Sequence, residues 1–384
     1  NFFNLDPSYL ALADDVDLLI TEMRNTTYRQ PEWYRYVAGF AGDKDVVVVE
    51  NPYGGVVPEL VAKLRVGRGY DLFRLSLYEG AAFGTNMTVP YGAWMGSTIQ
   101  DSYSPPHELA TEIQTFLAEH EHLYSRHSLN SVAVVFSVES TRELISRADA
   151  SDNLLNSRDD SVTVPYRVVT QGFAGASVPF DVVLFPDGVT APDRVVADSL
   201  ARYDTVVLPD CAFLTSAQAA AVGAYLAAGG CVVVTDRFAD NLPADERGAL
   251  LSAPGLVRAD AADVDALLPL GRQVEVGAPV GVNIHRLPYG TAAVHLVNFD
   301  YDEAADRVET LDDVSLTVRL GSRLTRATLY GSDGDITDLE VKSDEASSSV
   351  RLDRLGLYGI VVFHDESSPH MQPQAGGGTE RSAS

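Results

Sequence analysis

Two glutamates follow short apolar runs that have the pattern of buried parallel strands. Glu50 ends the run Asp-Val-Val-Val-Val-Glu and is followed by Asn-Pro-Tyr-Gly-Gly, and Glu22 ends Asp-Leu-Leu-Ile-Thr-Glu. Because α/β folds place their chemistry at the carboxyl edge of the sheet, both side chains are candidates for a site. Neighbouring parallel strands lie about 4.8 Å apart, so two carboxyl groups there can reach the roughly 5 to 9 Å separation used in glycoside hydrolysis. Each glutamate could instead cap the next helix or pair with a nearby arginine.

Aromatic side chains crowd the same predicted edge. Tyr53 follows Glu50 closely, and Trp94 follows a third predicted strand at residues 87–90. A sugar ring has an apolar face that packs on aromatic rings, so Tyr53 and Trp94 suit a carbohydrate cleft. Trp33 and Tyr36 lie three apart on a predicted helix and are expected in the core instead.

The charge of the chain limits its partners and indicates its environment. Its 384 residues include 28 basic and 54 acidic ones, for a net charge of -26. Nucleic acid and anionic membrane surfaces would be repelled, and no apolar run approaches the roughly 20 residues that span a bilayer. Only three of the basic residues are lysines, and acid is spread throughout, which favours adaptation to high salt. An ordinary acidic secreted protein is the alternative, so localisation stays open, with a salt-accumulating cytoplasm favoured.

Other kinds of site find little support in the sequence. His120, His122 and His127 lie close together, but none of them has the i, i+4 spacing that puts two imidazoles on one metal. Cys211 follows a predicted strand without the flanking glycines of a nucleophilic turn, and Cys231 begins another strand. We therefore expect no cofactor, no metal, no catalysis by Cys211 and no disulfide between the two cysteines.

Element patterns divide the chain into four predicted parts. Residues 1–128 alternate short strands with helices, which predicts the C-terminal part of a TIM-type (β/α)8 barrel or a small open sheet. Residues 129–272 predict a doubly wound α/β domain. Residues 273–365 change to short strands between turn residues, which predicts an antiparallel β-sandwich. Residues 366–384 have the composition of a disordered tail.

The same patterns place individual elements. Helices are predicted at 32–40, 71–83, 108–124 and 215–228. Strands are predicted at 16–21, 46–50, 87–90, 132–136, 181–185, 205–208, 231–235, 280–286, 292–298, 314–320, 327–330, 349–352 and 359–364.

In this order the three structured parts resemble the C-terminal two-thirds of family 42 beta-galactosidases and related glycoside hydrolases. In those enzymes a (β/α)8 barrel is followed by an amidotransferase-like trimerisation domain and a small β domain. The stretch from Val49-Glu50-Asn51-Pro52 to Gly80-Ala81-Ala82-Phe83-Gly84 resembles the end of that barrel, with a long loop between its strand and its helix. Leu208-Pro209 with Gly229-Gly230 is similar to the trimerisation domain, and Val294-His295-Leu296-Val297-Asn298-Phe299 to the β domain.

The resemblance implies a retaining glycoside hydrolase acting on carbohydrate. Glu50 would be the nucleophile, Trp94 would flank the substrate, and Glu22 would lie on the sixth barrel strand, where it could only assist. The general acid of such enzymes lies on the fourth strand, so we expect an N-terminal barrel half to be missing and this chain alone to be inactive. A homotrimer through the middle domain is also implied. The alternative is a non-catalytic carbohydrate-binding or oligomerisation protein.

Overall fold

The first part of the chain contains a short parallel sheet. The computed structural model describes residues 10–11, 15–22, 28–42, 44–49, 57–87, 93–94, 97–98, 105–147, 165–193, 195–288 and 291–365. The first elements are β1 (Leu18–Glu22), α1 (Pro31–Ala41), β2 (Asp45–Val49), α2 (Val57–Leu64), α3 (Tyr70–Ala82), β3 (Asn86–Met87), β4 (Ala93–Trp94), β5 (Ser97–Thr98) and α4 (His107–Glu119). Strands β1, β2 and β3 pair in that order, and both pairings are parallel, as predicted.

Helix α2 corrects the prediction of a long loop after Glu50. Its apolar residues Val57, Leu60, Val61 and Leu64 recur at the spacing of one helix face. The resemblance implied a loop over this stretch. A proline at position 58 is compatible with the helix, because a proline in the first turn lacks only an N–H that would have no partner there.

The middle of the chain forms a parallel sheet with apolar clusters on both faces. Its elements are β6 (Val132–Ser137), α5 (Val138–Arg147), α6 (Pro165–Gly175), β7 (Asp181–Phe185), α7 (Ala197–Leu200), β8 (Thr205–Leu208), α8 (Ser216–Ala227), β9 (Cys231–Val234), α9 (Ala244–Leu251) and β10 (Leu256–Arg258). The strand order is β10-β9-β8-β6-β7, and every pairing is parallel. Val134 and Phe136 of β6 share a cluster with α6, whereas Ala133 and Val135 share one with α8. Both faces of this parallel sheet are therefore buried.

The last part contains two antiparallel sheets. Its strands are β11 (Val274–Val276), β12 (Val280–Arg286), β13 (Ala292–Asn298), β14 (Tyr301–Asp302), β15 (Arg307–Val308), β16 (Leu311–Val318), β17 (Leu324–Gly331), β18 (Ile336–Leu339), β19 (Lys342–Ser343), β20 (Ser348–Leu355) and β21 (Tyr358–Asp365). One sheet has the order β11-β16-β20-β19 and the other β12-β13-β21-β17-β18. Residues from both sheets form one apolar cluster, and β14 and β15 form a separate hairpin. The antiparallel prediction is confirmed.

One apolar cluster joins all three parts. Tyr36 of α1 packs edge-on against Phe136 of β6, with ring centroids 5.1 Å apart. Tyr78 of α3 stacks on Tyr358 of β21 at 4.9 Å. All four rings are buried, and all belong to the same cluster. Helices α1 and α3, which connect the strands of the first sheet, are thus held by the middle and last parts of the molecule.

Candidate functional site

The carboxyl ends of β1 and β2 lie side by side. In the parallel register Ile20 faces Val47 and Glu22 faces Val49, which is the residue before Glu50. Glu22 is the last residue of its strand, and Val49 is the last residue of the other. The backbone therefore brings the position of Glu22 to the edge from which the chain continues into Glu50.

The two faces of this sheet differ in their surroundings. Leu19, Val46 and Val48 point to one face and are buried in the cluster that contains α1 and α3. Leu18 and Ile20 point to the other face and are 47% and 39% exposed. Since parallel sheets in proteins are covered on both faces, the exposed apolar face is unusual.

Of the other residues discussed in the sequence analysis, the structure describes Trp94, Trp33 and Tyr36 but not Glu50 and Tyr53. Glu50 and Tyr53 lie outside the described residues, so their proposed roles stay predictions. Trp94 is the second residue of β4, which pairs with β5 in a short antiparallel ladder. Trp33 and Tyr36 are 2% and 1% exposed, and their rings stack with centroids 5.5 Å apart, which confirms their place in the core.

A buried carboxylate fixes the chain that enters α1. The backbone N–H groups of Arg29 and Gln30 donate to the two carboxylate oxygens of Glu79 at 2.9 and 2.7 Å. Glu79 lies on α3 and is completely buried. Burial raises the pKa of Glu79 well above its ordinary value, although the two N–H donors lower it. This carboxyl group bonds to the backbone immediately before Pro31, where α1 starts.

Asp181, at the start of β7, is the centre of a second buried polar group. Its carboxylate accepts hydrogen bonds from Arg35 of α1, from Ser128 and Asn130, and from Arg202. Burial alone would raise the pKa of Asp181, but the two guanidinium groups and the neutral donors outweigh it and lower the pKa. The first and middle parts of the chain are thus joined by a paired buried charge.

Two buried histidines join the first part to the last. The backbone N–H of Ser125 donates to Nδ1 of His285, so Nε2 carries the proton that it donates to the carbonyl oxygen of Ala82 at 2.9 Å. His295 lies beside it, with ring centroids 4.0 Å apart. Its nitrogens contact the hydroxyl of Tyr358 at 2.6 Å and a backbone carbonyl oxygen at 3.2 Å.

These surroundings keep both imidazoles neutral. Burial, with the nearby Arg35, lowers the pKa of His285 to about 3. Burial, with the neighbouring His285, lowers the pKa of His295 well below its ordinary value. Neither ring is placed as a metal ligand, because the described hydrogen bonds already use both nitrogens of each.

The described residues also bear on metal binding, membrane insertion and thiol chemistry. Among the described residues, no three His, Cys, Asp or Glu side chains lie close enough together to hold a metal. Within the same residues, no helix has the length and apolar character to cross a membrane. Cys211 and Cys231 are free and buried. Burial raises the pKa of the Cys211 thiol, which disfavours the thiolate that a nucleophile needs.

Solved structures with a similar fold cleave glycosides. An alpha-L-fucosidase isoenzyme 2 from Paenibacillus thiaminolyticus has a TM-score of 0.60 at 14% identity, over 90% of this chain and 65% of that one. A beta-galactosidase from Bacillus circulans sp. alkalophilus has a TM-score of 0.59 at 12% identity, over 94% and 62%. A rhamnosidase from Novosphingobium sp. PP1Y has a TM-score of 0.56 at 10% identity, over 92% and 35%. The chain shares a fold with glycoside hydrolases.

The likeness covers only part of each of these three enzymes. The chain spans between about a third and two-thirds of the length of these three enzymes. No protein-family model and no curated protein sequence matches it. At such low identity the likeness concerns the fold, so the residues that act on a substrate must be argued from the chain itself.

Sequence reasoning missed the buried polar groups at the junctions between the three parts. Asp181 is the first residue of a predicted strand, and nothing in the sequence analysis predicted its buried ion pairs. His285 and His295 belong to two predicted strands, and in the antiparallel register Asn283, not His285, is opposite His295. Alternation within each strand could have placed Asn283 and His285 on one face, but only the hairpin register adds His295 to that face.

Proposed function

We propose that this chain carries the nucleophile edge of a retaining glycoside hydrolase, with Glu50 as nucleophile and Glu22 beside it. The observation that carries the proposal is the register that sets Glu22 opposite Val49, one residue before Glu50. Adjacent parallel strands lie about 4.8 Å apart, so the ends of β1 and β2 lie close together at this edge. Glu50 attacks the anomeric carbon, an acid protonates the leaving oxygen, and water then hydrolyses the glycosyl-enzyme.

We further propose that the general acid comes from polypeptide beyond this sequence. The exposed face of β1, with Leu18 and Ile20, has the character of a barrel interior that lacks its remaining strands. In this proposal residues 1–128 are the C-terminal part of a TIM-type barrel, 129–272 an amidotransferase-like domain, 273–365 a β-sandwich and 366–384 a tail. Glu22 then assists the nucleophile, and the chain alone does not turn over substrate.

The proposed substrate is a galactoside or a related sugar. The similar solved structures are named as a beta-galactosidase, a fucosidase and a rhamnosidase, which supports testing those three sugars first. In this proposal Tyr53 and Trp94 pack on the sugar ring, because aromatic faces bind the apolar face of a pyranose.

The test uses the chain joined to its natural upstream coding sequence. Release of nitrophenol is measured from aryl β-galactoside, α-L-fucoside and α-L-rhamnoside, and the parent is compared with Glu50→Gln. Removing the nucleophile should reduce kcat by at least about a thousandfold, since covalent catalysis is lost while the fold is kept. Glu119→Gln, at an exposed position on α4, is the matched control and should leave the rate unchanged. Equal rates in Glu50→Gln and the parent would remove Glu50 from the mechanism.

A non-catalytic role is the second candidate, because apolar side chains are exposed in the middle part. Val189 and Val196, in the segment between β7 and α7, are 91% and 56% exposed. Such side chains favour an interface between copies of the chain, and we propose a homotrimer through this part. Light scattering at high salt should give three times the chain mass, and sugar binding without nitrophenol release would favour this candidate over the enzyme.

A further inference from the structure

A small hairpin of the last part lies against the first part of the chain. Strands β14 and β15 form a two-stranded sheet of their own, apart from the two larger antiparallel sheets. The hairpin contacts the connection that follows β1 and also the connection that follows β2. In α/β barrels, the connections that follow the strands form the face on which the active site lies. The hairpin therefore lies beside the chain that leaves the candidate edge after Glu22 and Val49.

Aromatic rings join the hairpin to the connection after β1. Tyr28 follows Glu22 by six residues, and its side chain is partly buried. The Tyr28 ring packs edge-on against Tyr301 of β14, with centroids 6.1 Å apart, and lies 6.3 Å from the Phe299 ring. Aromatic pairs at such separations attract each other through their rings as well as through the area that they bury. The chain that leaves Glu22 is thus held against the hairpin before it enters α1.

Asp306 is the centre of the contact with the connection after β2. Its carboxylate oxygens lie 3.2 and 3.0 Å from the backbone nitrogen of Gly69, which donates to them. The Tyr301 hydroxyl donates to the same carboxylate at 2.5 Å, and the guanidinium group of Arg68 lies 3.4 Å from it. Gly69 is the residue before α3, so the carboxylate lies where the helix N-terminus favours negative charge. The start of α3 is therefore bound to the hairpin.

Lys63 binds the end of α2 to the same hairpin. It lies in the last turn of that helix, and its ammonium group donates to a carboxylate oxygen of Glu303 at 2.6 Å and to the Tyr301 hydroxyl at 3.3 Å. The ammonium nitrogen also lies 5.2 Å from the centroid of the Tyr301 ring, within the range of a cation–π contact. Tyr301 thus links Lys63 to Asp306. We call Lys63, Gly69, Tyr301, Glu303 and Asp306 the hairpin contact.

The charge and the backbone of Asp306 both suit this role. Partial burial would raise the pKa of its carboxyl group, but the hydrogen bonds from Tyr301 and Gly69 and the charge of Arg68 lower the pKa, so the group is ionised at neutral pH. Its φ is +58°, a left-handed conformation that is uncommon for residues other than glycine. A backbone conformation of this kind persists where its surroundings fix it. The turn of the hairpin thus presents this carboxylate toward Gly69.

The segment that contains Glu50 lies between two restrained elements. Strand β2 ends at Val49, and α2 runs from Val57 to Leu64, with Leu60 and Leu64 buried. The hairpin contact restrains the far end of α2 and the turn after it. A nucleophile has to be held close to its attack geometry, since a displacement of about 1 Å can cost about a hundredfold in rate.

We propose that the hairpin contact positions the connections that follow both strands of the candidate edge, and that Lys63 and Asp306 are positioning residues for Glu50. The proposal rests on the proposed function, in which Glu50 is the nucleophile. It assigns the last part of the chain a role in catalysis that acts through the backbone of the first part and not through contact with substrate.

Hydrogen exchange of the chain alone, measured by mass spectrometry in fixed KCl, tests the restraint. Asp306→Asn removes the charge but keeps the side-chain shape, and asparagine also adopts the left-handed conformation. The amides of residues 57–69 should exchange about tenfold faster, since a hydrogen-bonded charge is lost, while those of residues 216–227 in α8 should not change. Asp313→Asn is the matched control, because Asp313 has a φ of +61° and pairs with Arg351 within the last part. Lys63→Gln should act in the same direction as Asp306→Asn, so it tests the contact even if the first variant folds poorly.

Kinetics of the chain joined to its upstream coding sequence test the positioning. Per folded molecule, Asp306→Asn and Lys63→Gln should lower kcat for the aryl glycoside by about tenfold with KM nearly unchanged, and Asp313→Asn should match the parent. Exchange of residues 57–69 that is no faster than in Asp313→Asn, or an unchanged kcat in an active enzyme, would overturn the proposal. An inactive parent would instead overturn the proposed function, and the exchange result would still decide whether the hairpin restrains this connection.

Discussion

Replacing Asp181 by asparagine tests whether one buried carboxylate holds the first and middle parts of the chain together. The Asp181 and Arg35 side chains are 4% and 8% exposed, so their ion pair is shielded from water. Arg35 also donates to the carbonyl oxygens of Phe180 and Phe83, which fixes it in place. Without the carboxylate, the guanidinium group would keep its buried position but lose its counter-charge.

The expected cost follows from that geometry. Removing one partner of a buried ion pair costs about 3 to 5 kcal/mol, and asparagine keeps the side-chain volume, so no cavity adds to it. Asp45→Asn is the matched control. Its pair with Arg126 is about half exposed on both sides, and such pairs contribute about 0 to 1 kcal/mol. Urea unfolding at pH 7.5 and fixed KCl, followed by circular dichroism, gives both values from the shift in midpoint.

The pH dependence provides a second test of Asp181. Because the folded state lowers its pKa, its contribution to the free energy of unfolding is complete above its ordinary pKa of 3.8 and is lost as the pH falls through the lowered value. The gap between the parent and Asp181→Asn should therefore be widest at neutral pH and narrow below about pH 4. A loss no larger than that of Asp45→Asn, or a gap that persists in acid, would refute the buried-pair reasoning.

Three further predictions concern stability, and each is measured by the same urea unfolding. The folded state lowers the pKa of His285 and of His295. The free energy of unfolding should therefore decrease below pH 6.5, by up to about 1.4 kcal/mol per pH unit for each histidine. The double variant with glutamine at both positions should show a weaker dependence of this free energy on pH. Gly39→Ala should cost about 1 to 3 kcal/mol because its Cβ would lie 2.4 Å from a β7 carbonyl oxygen, whereas Gly248→Ala, with no atom within 4 Å, should stabilise by about 0.4 to 1 kcal/mol. Glu79→Ala should cost about 2 to 6 kcal/mol, since it leaves two backbone N–H groups without their acceptor.

The strands could be predicted where their burial requires either a continuous apolar run or a strict alternation of apolar and polar residues. Strands β7, β8, β12 and β13 begin and end at the predicted residues. In the antiparallel sheets, β16, β17 and β20 each extend three residues beyond the predicted run at one end, and β16 also ends two residues before its predicted end. Those extensions contain charged and polar side chains on the solvent side, which carry no apolar signal although their backbone still pairs.

The candidate site was only partly predictable, because its geometry depends on contacts between distant residues. The parallel pairing of β1 with β2 follows from the strand-helix-strand rhythm, so the approach of Glu22 to the end of β2 was open to prediction. The buried group around Asp181 was not, since Arg35 reaches Asp181 only when α1 packs against β7. A periodic pattern shows that a helix has an apolar face but not which sheet that face covers.

The way α1 and α3 pack explains how so small a sheet can hold a site. A sheet of so few short strands depends on an apolar face packed against helices for its stability. Here Tyr36 and Tyr78 bury these helices against the middle and last parts of the chain, and Glu79 fixes the backbone where α1 begins. The strand ends near Glu22 thus take their rigidity from elements far along the sequence, while the opposite face of β1 stays open. Weakening the packing of α1 or α3 against the other parts of the chain should therefore disturb this edge, although no residue of the edge itself is changed. The Asp181→Asn variant tests that dependence.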